Sequence, residues 1–254
     1  MNTPQAASES PQVDASPLLD VRHLSKRFGD VVAVNDLSFT VAASQIVAML
    51  GPNGAGKTTS LKCIVGLLRP QAGQITLAGQ PARTPQARAA LGWVPEVPYA
   101  YELLTIWEHM QFVALAYRLP DGWQERAAAL LRQFDLWEKR SSLASGLSKG
   151  MRQKLVICLA LLHQPRLFLF DEPLVGLDPP AQRELREIIL QLRQAGAGVL
   201  ISTHMLESAE RLCDQALVMH KGRQVAAGSL AELREQFHLP TNTPLEDVFF
   251  EAIR

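Results

Sequence analysis

Apolar residues along this chain follow two spacings, and the switches between them outline its elements. Over residues 18–41 short β-like runs are broken by turn signals at Phe28-Gly29-Asp30 and Asn35-Asp36. Ile46-Val47-Ala48-Met49-Leu50 is apolar throughout, the pattern of a strand buried on both faces. A helix-like segment over 60–68 follows and stops near Arg69-Pro70, and strands are expected over 74–77 and 91–94. The period then changes. Ile106, Met110, Val113 and Tyr117 fall at i, i+4, i+7 and i+11, one face of a helix. Helices are also expected over 123–134 and 151–162, so that residues 95–165 form a helical insertion. Leu167-Phe168-Leu169-Phe170 returns to a fully apolar strand and runs into Asp171-Glu172. A helix over 181–194 and a strand over 198–202 follow, and the last helix is expected to open with a capping box at Thr243-Pro244-Leu245-Glu246. Strands alternating with helices predict an α/β fold with a mainly parallel sheet covered on both faces.

The chemistry concentrates where strands end. Gly51-Pro52-Asn53-Gly54-Ala55-Gly56-Lys57-Thr58-Thr59 lies between the apolar strand and its helix and fits G-x-x-x-x-G-K-[ST]. Glycines let successive backbone N–H groups turn toward phosphate oxygens, and the helix that follows adds the positive end of its dipole. Lys57 is expected to reach the β- and γ-phosphates and Thr58 to ligate Mg²⁺. An apolar strand that ends in Asp171 supplies a carboxylate to hold Mg²⁺ through its water shell, and Glu172 beside it is a candidate general base. His204 follows another strand end, within reach of the same phosphate if the two strands are parallel neighbours.

A further stretch, Leu147-Ser148-Lys149-Gly150-Met151-Arg152-Gln153-Lys154, carries an unusual charge pattern. Ser148 suits an N-cap, yet Lys149, Arg152 and Lys154 sit in the first turns, where the helix dipole disfavours cations. Two explanations stand: a solvated basic face, or an anion that docks at this helix start, such as a nucleotide held by another copy of the chain.

Composition narrows the class. The 254 residues are 47% hydrophobic and 20% charged, enough apolar material for a full core, and the formal net charge of zero gives no broad nucleic-acid footprint. Cys63, Cys158 and Cys213 are widely spaced in apolar segments and match no disulfide or zinc pattern, which points to a reducing, intracellular setting. No run approaches the ~18 apolar residues of a membrane-spanning helix. Residues 1–17, rich in Pro, Ser, Ala and Gln and without Lys or Arg, match no signal peptide and are expected to form a disordered tail before a domain over 18–254.

Taken together, these motifs resemble the ATP-binding subunit of an ABC transporter, over nearly the whole chain from Leu18. Gly51 to Thr58 matches Walker A, the strand ending in Asp171 followed by Glu172 matches Walker B with its catalytic glutamate, and Leu147 to Met151 matches the ABC signature. Gly176-Leu177-Asp178 matches the D-loop, His204 the switch histidine and Phe28 the aromatic that stacks on the base. The resemblance implies a P-loop NTPase (RecA-like) core with a small antiparallel β subdomain and an inserted helical subdomain, with C-terminal helices over about 229–254. It implies ATP and Mg²⁺ as cofactors and a head-to-tail dimer in which Ser148 and Gly150 of one copy face the γ-phosphate held by the other. It also implies integral membrane permease partners, with the subunit peripheral on the cytoplasmic face of the membrane.

There are departures from the family pattern. Where Leu-Ser-Gly-Gly-Gln is usual, Lys149 and Met151 stand at the third and fifth positions, and Glu96 replaces the Q-loop glutamine. Both variants, and the ending over 244–253, resemble the branch that works with ABC-2-type permeases, chiefly exporters. Glu96 keeps an oxygen that can ligate Mg²⁺ or orient water. Two other functions are compatible with a P-loop: a non-transport ABC ATPase acting on DNA or ribosomes, and a small-molecule kinase. The first is disfavoured by the zero net charge, and the second leaves the signature stretch unexplained.

Overall fold

The computed structural model describes residues 16–254, so nearly all of the tail expected over 1–17 lies outside the described residues. The chain opens with β1 (Leu19–Phe28) and β2 (Val31–Val41), followed by β3 (Ile46–Leu50) and α1 (Lys57–Ile64). Next come β4 (Ala72–Leu77), β5 (Gln80–Pro81), α2 (Pro85–Ala89) and β6 (Leu91–Val94). Three helices, α3 (Ile106–Ala116), α4 (Trp123–Gln133) and α5 (Lys149–Leu162), lead to β7 (Leu167–Asp171). The remainder is α6 (Pro179–Gln194), β8 (Gly198–Thr203), α7 (Leu206–Leu212), β9 (Gln215–His220), β10 (Arg223–Gly228), α8 (Leu230–Gln236) and α9 (Leu245–Ala252).

The strands form two sheets. The larger runs β10-β9-β3-β8-β7-β6, parallel except for β10, which pairs antiparallel with β9 at the edge. The smaller, β2-β1-β4-β5, is antiparallel. Alternation along the central strands explains why they read as unbroken apolar runs. Phe168, Phe170, Val199 and Ile201 face a core shared with α4, α5 and α6; Leu167, Leu169 and Leu200 face a second core, shared with α1 and the small sheet. A third core under α8 and α9 holds Ala48, Leu50, Val218, Leu245 and Val248. Each Leu, Ile or Val fully withdrawn from water there contributes ~1.5–3 kcal/mol, so a polar residue on either face would cost heavily.

Several boundaries differ from expectation for local reasons. Helix α1 starts at Lys57 and ends at Ile64, where Gly66 (φ +80°) turns the chain and the Leu68 N–H returns to Lys62 O at 2.9 Å. The capping box expected at Thr243 is absent: Pro244 occupies the N-cap, and the Leu245 N–H donates instead to Glu210 Oε2 of α7 at 3.2 Å. Two boxes not foreseen from sequence, Thr105 with Glu108 and Ser229 with Glu232, start α3 and α8. In both, accepting those hydrogen bonds holds the glutamate below its ordinary pKa. All three cysteines are free, and burial raises each thiol's pKa, that of Cys213 to about 12, so none offers thiolate chemistry.

Candidate functional site

Parallel pairing sets the site, because it brings the C-terminal ends of neighbouring strands to one edge. Asp171 of β7 pairs with Ser202 of β8, and Leu50 of β3 with Thr203. The segment after β3 is anchored by distant backbone. Gly222 donates its N–H to Ala55 O at 3.1 Å, and Gly222 O accepts from Asn35 N–H at 2.7 Å. A Cβ at Gly56 would collide with Ala33 O of β2, and Gly56 itself has φ +103°. Gly56 is the N-cap of α1, yet it supplies no side-chain cap, and the first turn carries no acid. The leading N–H groups of α1 thus remain open to an anion from outside.

Around this loop lies a cleft of about 480 Å³ lined by Phe28, Val31, Val32, Ala33, Pro52 to Thr59, Glu96, Glu172, Val175 and His204. Lys57 is buried, and its ammonium donates to Gly51 O at 2.6 Å. Its Nζ also lies 3.3 Å from Glu172 Oε1, an ion pair that lacks hydrogen-bond geometry, so that this buried carboxylate oxygen has no hydrogen-bond partner. The other oxygen, Glu172 Oε2, accepts from the His204 backbone N–H at 3.3 Å and faces His204 Nδ1 at 3.0 Å. A carboxylate only accepts, so Nδ1 carries the proton and Nε2 is the ring's free polar atom.

Glu172 has φ +47°, a left-handed conformation that costs of order 1–3 kcal/mol for a residue with a side chain. The Glu172 N–H, bonded to Ser202 O at 3.0 Å, holds it there. Asp171, fully buried, accepts from the Thr58 hydroxyl at 3.1 Å and from Ser202 Oγ. Ser202 is the residue that sequence reasoning passed over. Its signal was a polar side chain at the end of an otherwise apolar strand.

The donor set suits a nucleotide with Mg²⁺. Thr58, Asp171 and Glu96 offer hard oxygen atoms, and the described residues contain no cluster of three or more His, Cys, Asp or Glu side chains that would form an all-protein cage. Mg²⁺ is commonly held in that way, by one or two side chains together with phosphate oxygens. Glu172 lines the same cleft, and its Oε1 is buried without a hydrogen-bond donor. Phe28, which could have been a core residue, is 48% exposed at the rim, with Lys26 Nζ 5.0 Å from its ring centre.

Ser148, Gly150 and Asp178 are not brought to this cleft. They line a separate one of about 520 Å³ with Phe134, Asp135, Leu136, Met151, Lys154, Gly176, Leu177 and Glu184. Ser148 caps α5, its hydroxyl accepting from Met151 N–H at 3.3 Å, and Asp178 caps α6 through Ala181 N–H at 2.9 Å. The basic pattern at the start of α5 has a partly internal explanation. Lys154 pairs with Glu184 at 3.0 Å and with Asp135 at 3.6 Å, and Arg152 donates to Ala144 O. Two of the three cations thus stabilise the fold, and of the three only Lys149 has neither a side-chain hydrogen bond nor an ion pair among the described residues.

Comparison with known proteins agrees with this geometry. Residues 34–175 match the sequence profile described as "ABC transporter". The chain is 39% identical over 240 residues to the ABC-type transporter ATP-binding protein EcsA of Bacillus subtilis (strain 168), covering 93% of this chain and 97% of that protein. It is 37% identical to the Nod factor export ATP-binding protein I of Ralstonia nicotianae, covering 88% of this chain and 70% of that one. A solved structure described as the ATP binding subunit of an ABC transporter superposes with a TM-score of 0.88 at 40% identity, over 92% of this chain and 99% of the other. By its strand-end geometry and by these likenesses, the chain belongs to the ATP-binding subunits of ABC transporters, ATPases that use hydrolysis to power transport.

Proposed function

We propose that this subunit drives an exporter as a head-to-tail dimer, each copy completing the other's nucleotide site, and that the force is delivered to separate ABC-2-type permease subunits on the cytoplasmic face of the membrane. The observation that carries the reading is the division of the site. One cleft holds Phe28, the phosphate loop, Glu172 and His204, with Asp171 buried behind Thr58, while a distinct one holds Ser148, Gly150 and Asp178. A second copy turned head to tail would bring Ser148 and Gly150 against the phosphates, where the positive end of the α5 dipole favours an anion.

In this reading Phe28 offers its ring to the base, and Lys57 with backbone N–H groups of the loop over 51–59 would hold the phosphates, the Ala55 N–H being already bonded to Pro52 O at 3.1 Å. Thr58, Asp171 and Glu96 would supply the oxygen atoms that hold Mg²⁺, whose charge would neutralise that of the phosphates. Glu172 positions and deprotonates water, and His204 is kept facing the γ-phosphate by its bond to Glu172. Export is supported by the relative named for Nod factor export. Sedimentation tests the dimer: the Glu172→Gln chain with ATP and Mg²⁺ is expected to run as a dimer and to return to monomer with ADP. A monomer at saturating ATP would sink the proposal.

No helix among the described residues is long and apolar enough to cross a membrane, so we assign the crossing to the permease. Its docking surface is the groove of about 460 Å³ lined by Leu91, Trp93, Pro95, Tyr99, Val113, Tyr117 and neighbours. Adjacent residues face opposite ways here: Pro95 lines the groove and Glu96 the nucleotide cleft. Val97, Tyr99 and Leu103 are 73%, 75% and 85% exposed, an apolar display that suits a protein contact. The loop is held from beneath by buried His109, whose Nε2 accepts from Tyr101 N–H at 2.9 Å while Nδ1–H donates to Thr105 O at 2.7 Å. Trp107, by contrast, packs between Trp123 and Trp137. Tyr99→Ala with Tyr101→Ala is therefore expected to leave folding and the isolated ATPase intact while co-purification with the permease and transport are lost. Normal transport by the double variant would place the docking site elsewhere.

A further inference from the structure

Lys149 stands where the usual signature has glycine, and none of the roles above uses its side chain. It is exposed and has no carboxylate partner among the described residues. Its stem lies across Gly176: a Cβ at Gly176 would sit 2.5 Å from Lys149 Nζ, 3.0 Å from Cε and 3.6 Å from Cδ. Gly176 has φ +78° and occupies the turn that leads from Glu172 to the start of α6. That turn is tied to the catalytic end, since Val175 donates its N–H to Glu172 O at 3.1 Å. On the other side Gln182 Nε2 donates to Leu174 O and Leu177 O at 3.2 and 3.1 Å. The turn thus has a hydrogen bond to Glu172, two from α6 and, where the Lys149 side chain lies over Gly176, a packing contact with the first residue of α5. An Leu-Ser-Gly-Gly-Gln sequence has no side chain with which to make the last.

We propose that Lys149 is a positioning residue for hydrolysis: it braces the Gly176 turn from the signature helix, so that what engages Ser148 and Gly150 is felt at Glu172 of the same chain. The coupling to hydrolysis rests on the dimer described above; the brace itself is a property of the single chain. Nζ lies nearest, with Cε and Cδ behind it, and it makes no hydrogen bond or ion pair among the described residues, so an unbranched apolar side chain of similar length should replace it. A residue that instead bound phosphate through its charge would not be replaceable in this way.

Two measurements on the full chain test this. Hydrogen exchange of the peptide spanning 173–178, without nucleotide, should speed up in Lys149→Gly and return to the wild-type rate in Lys149→Met. In steady-state ATPase assays Lys149→Gly should lower kcat by about fivefold with KM little changed, and Lys149→Met should restore it. Gly176→Ala should also lower kcat, because the new methyl displaces Lys149, and the same alanine should cost less in the Lys149→Gly background. The strain of an alanine at φ +78° is common to both backgrounds and cancels in such a cycle. Losses that simply multiply, a change confined to KM, failure of methionine to rescue, or an exchange rate unmoved by Lys149→Gly would each overturn the brace. Absence of an ATP-dependent dimer alongside a faster-exchanging turn in Lys149→Gly would remove the dimer reading and leave the brace standing.

Discussion

Glu172→Gln is expected to bind ATP as tightly as the wild type and to hydrolyse it at least ~10²-fold more slowly, the usual worth of a positioned general base. The amide has nearly the volume and shape of the carboxylate, and it can still accept from the His204 N–H, so the left-handed turn held by Ser202 should survive. What disappears is the basic oxygen. Glu172 Oε1 is buried, has no hydrogen-bond partner and lies 3.3 Å from Lys57 Nζ, so that a phosphate drawing Lys57 away would free it to take a proton from water. Direct binding of ATP and single-turnover hydrolysis by the same preparation separate the two effects. A variant that hydrolyses within a few-fold of the wild type would mean that another group is the base.

Lys57→Ala has the opposite expected signature: ATP affinity falls by about 10- to 100-fold, the equivalent of losing one hydrogen bond to a charged group, ~1.5–3 kcal/mol. Lys57 is held at the first turn of α1 with its ammonium against Gly51 O, so it is preorganised beside the loop rather than recruited from solvent. Removing it also takes the nearest cation from Glu172, which is buried to the same degree. Hydrolysis should therefore drop further than binding alone predicts. Calorimetric titration of the two variants side by side checks the division of roles. Equal losses of affinity in both would contradict it.

Much of this site was legible before any coordinates because its chemistry is carried by short contiguous stretches. A phosphate loop needs glycines, Lys57 and Thr58 in a fixed order, and a strand buried on both faces shows as an unbroken apolar run that ends in its acid. Charge patterning was a weaker guide. Lys149, Arg152 and Lys154 looked alike as a basic helix start, yet Lys154 answers Glu184 and Asp135, and Arg152 answers a carbonyl. Pairings of that kind join residues far apart in sequence, and no local rule reports them. The cap of α9 failed in the same way, since its acceptor is Glu210 on another helix.

The sequence by itself determined the identity of the groups, their order along the chain and the alternation of elements, because hydrophobic period, turn residues and motif spacing are local properties. Only the tertiary structure decided which groups meet. Parallel register places Asp171 beside Ser202 and within reach of Thr58, and it sets His204 on Glu172. The fold also holds Ser148 and Asp178 in a cleft of their own, and it leaves Tyr99 exposed while Trp107 is packed between two other tryptophans. The physical reason is that contact depends on how sheets and helices bury their apolar faces against one another. That packing is a property of the whole chain and cannot be read in any window of it.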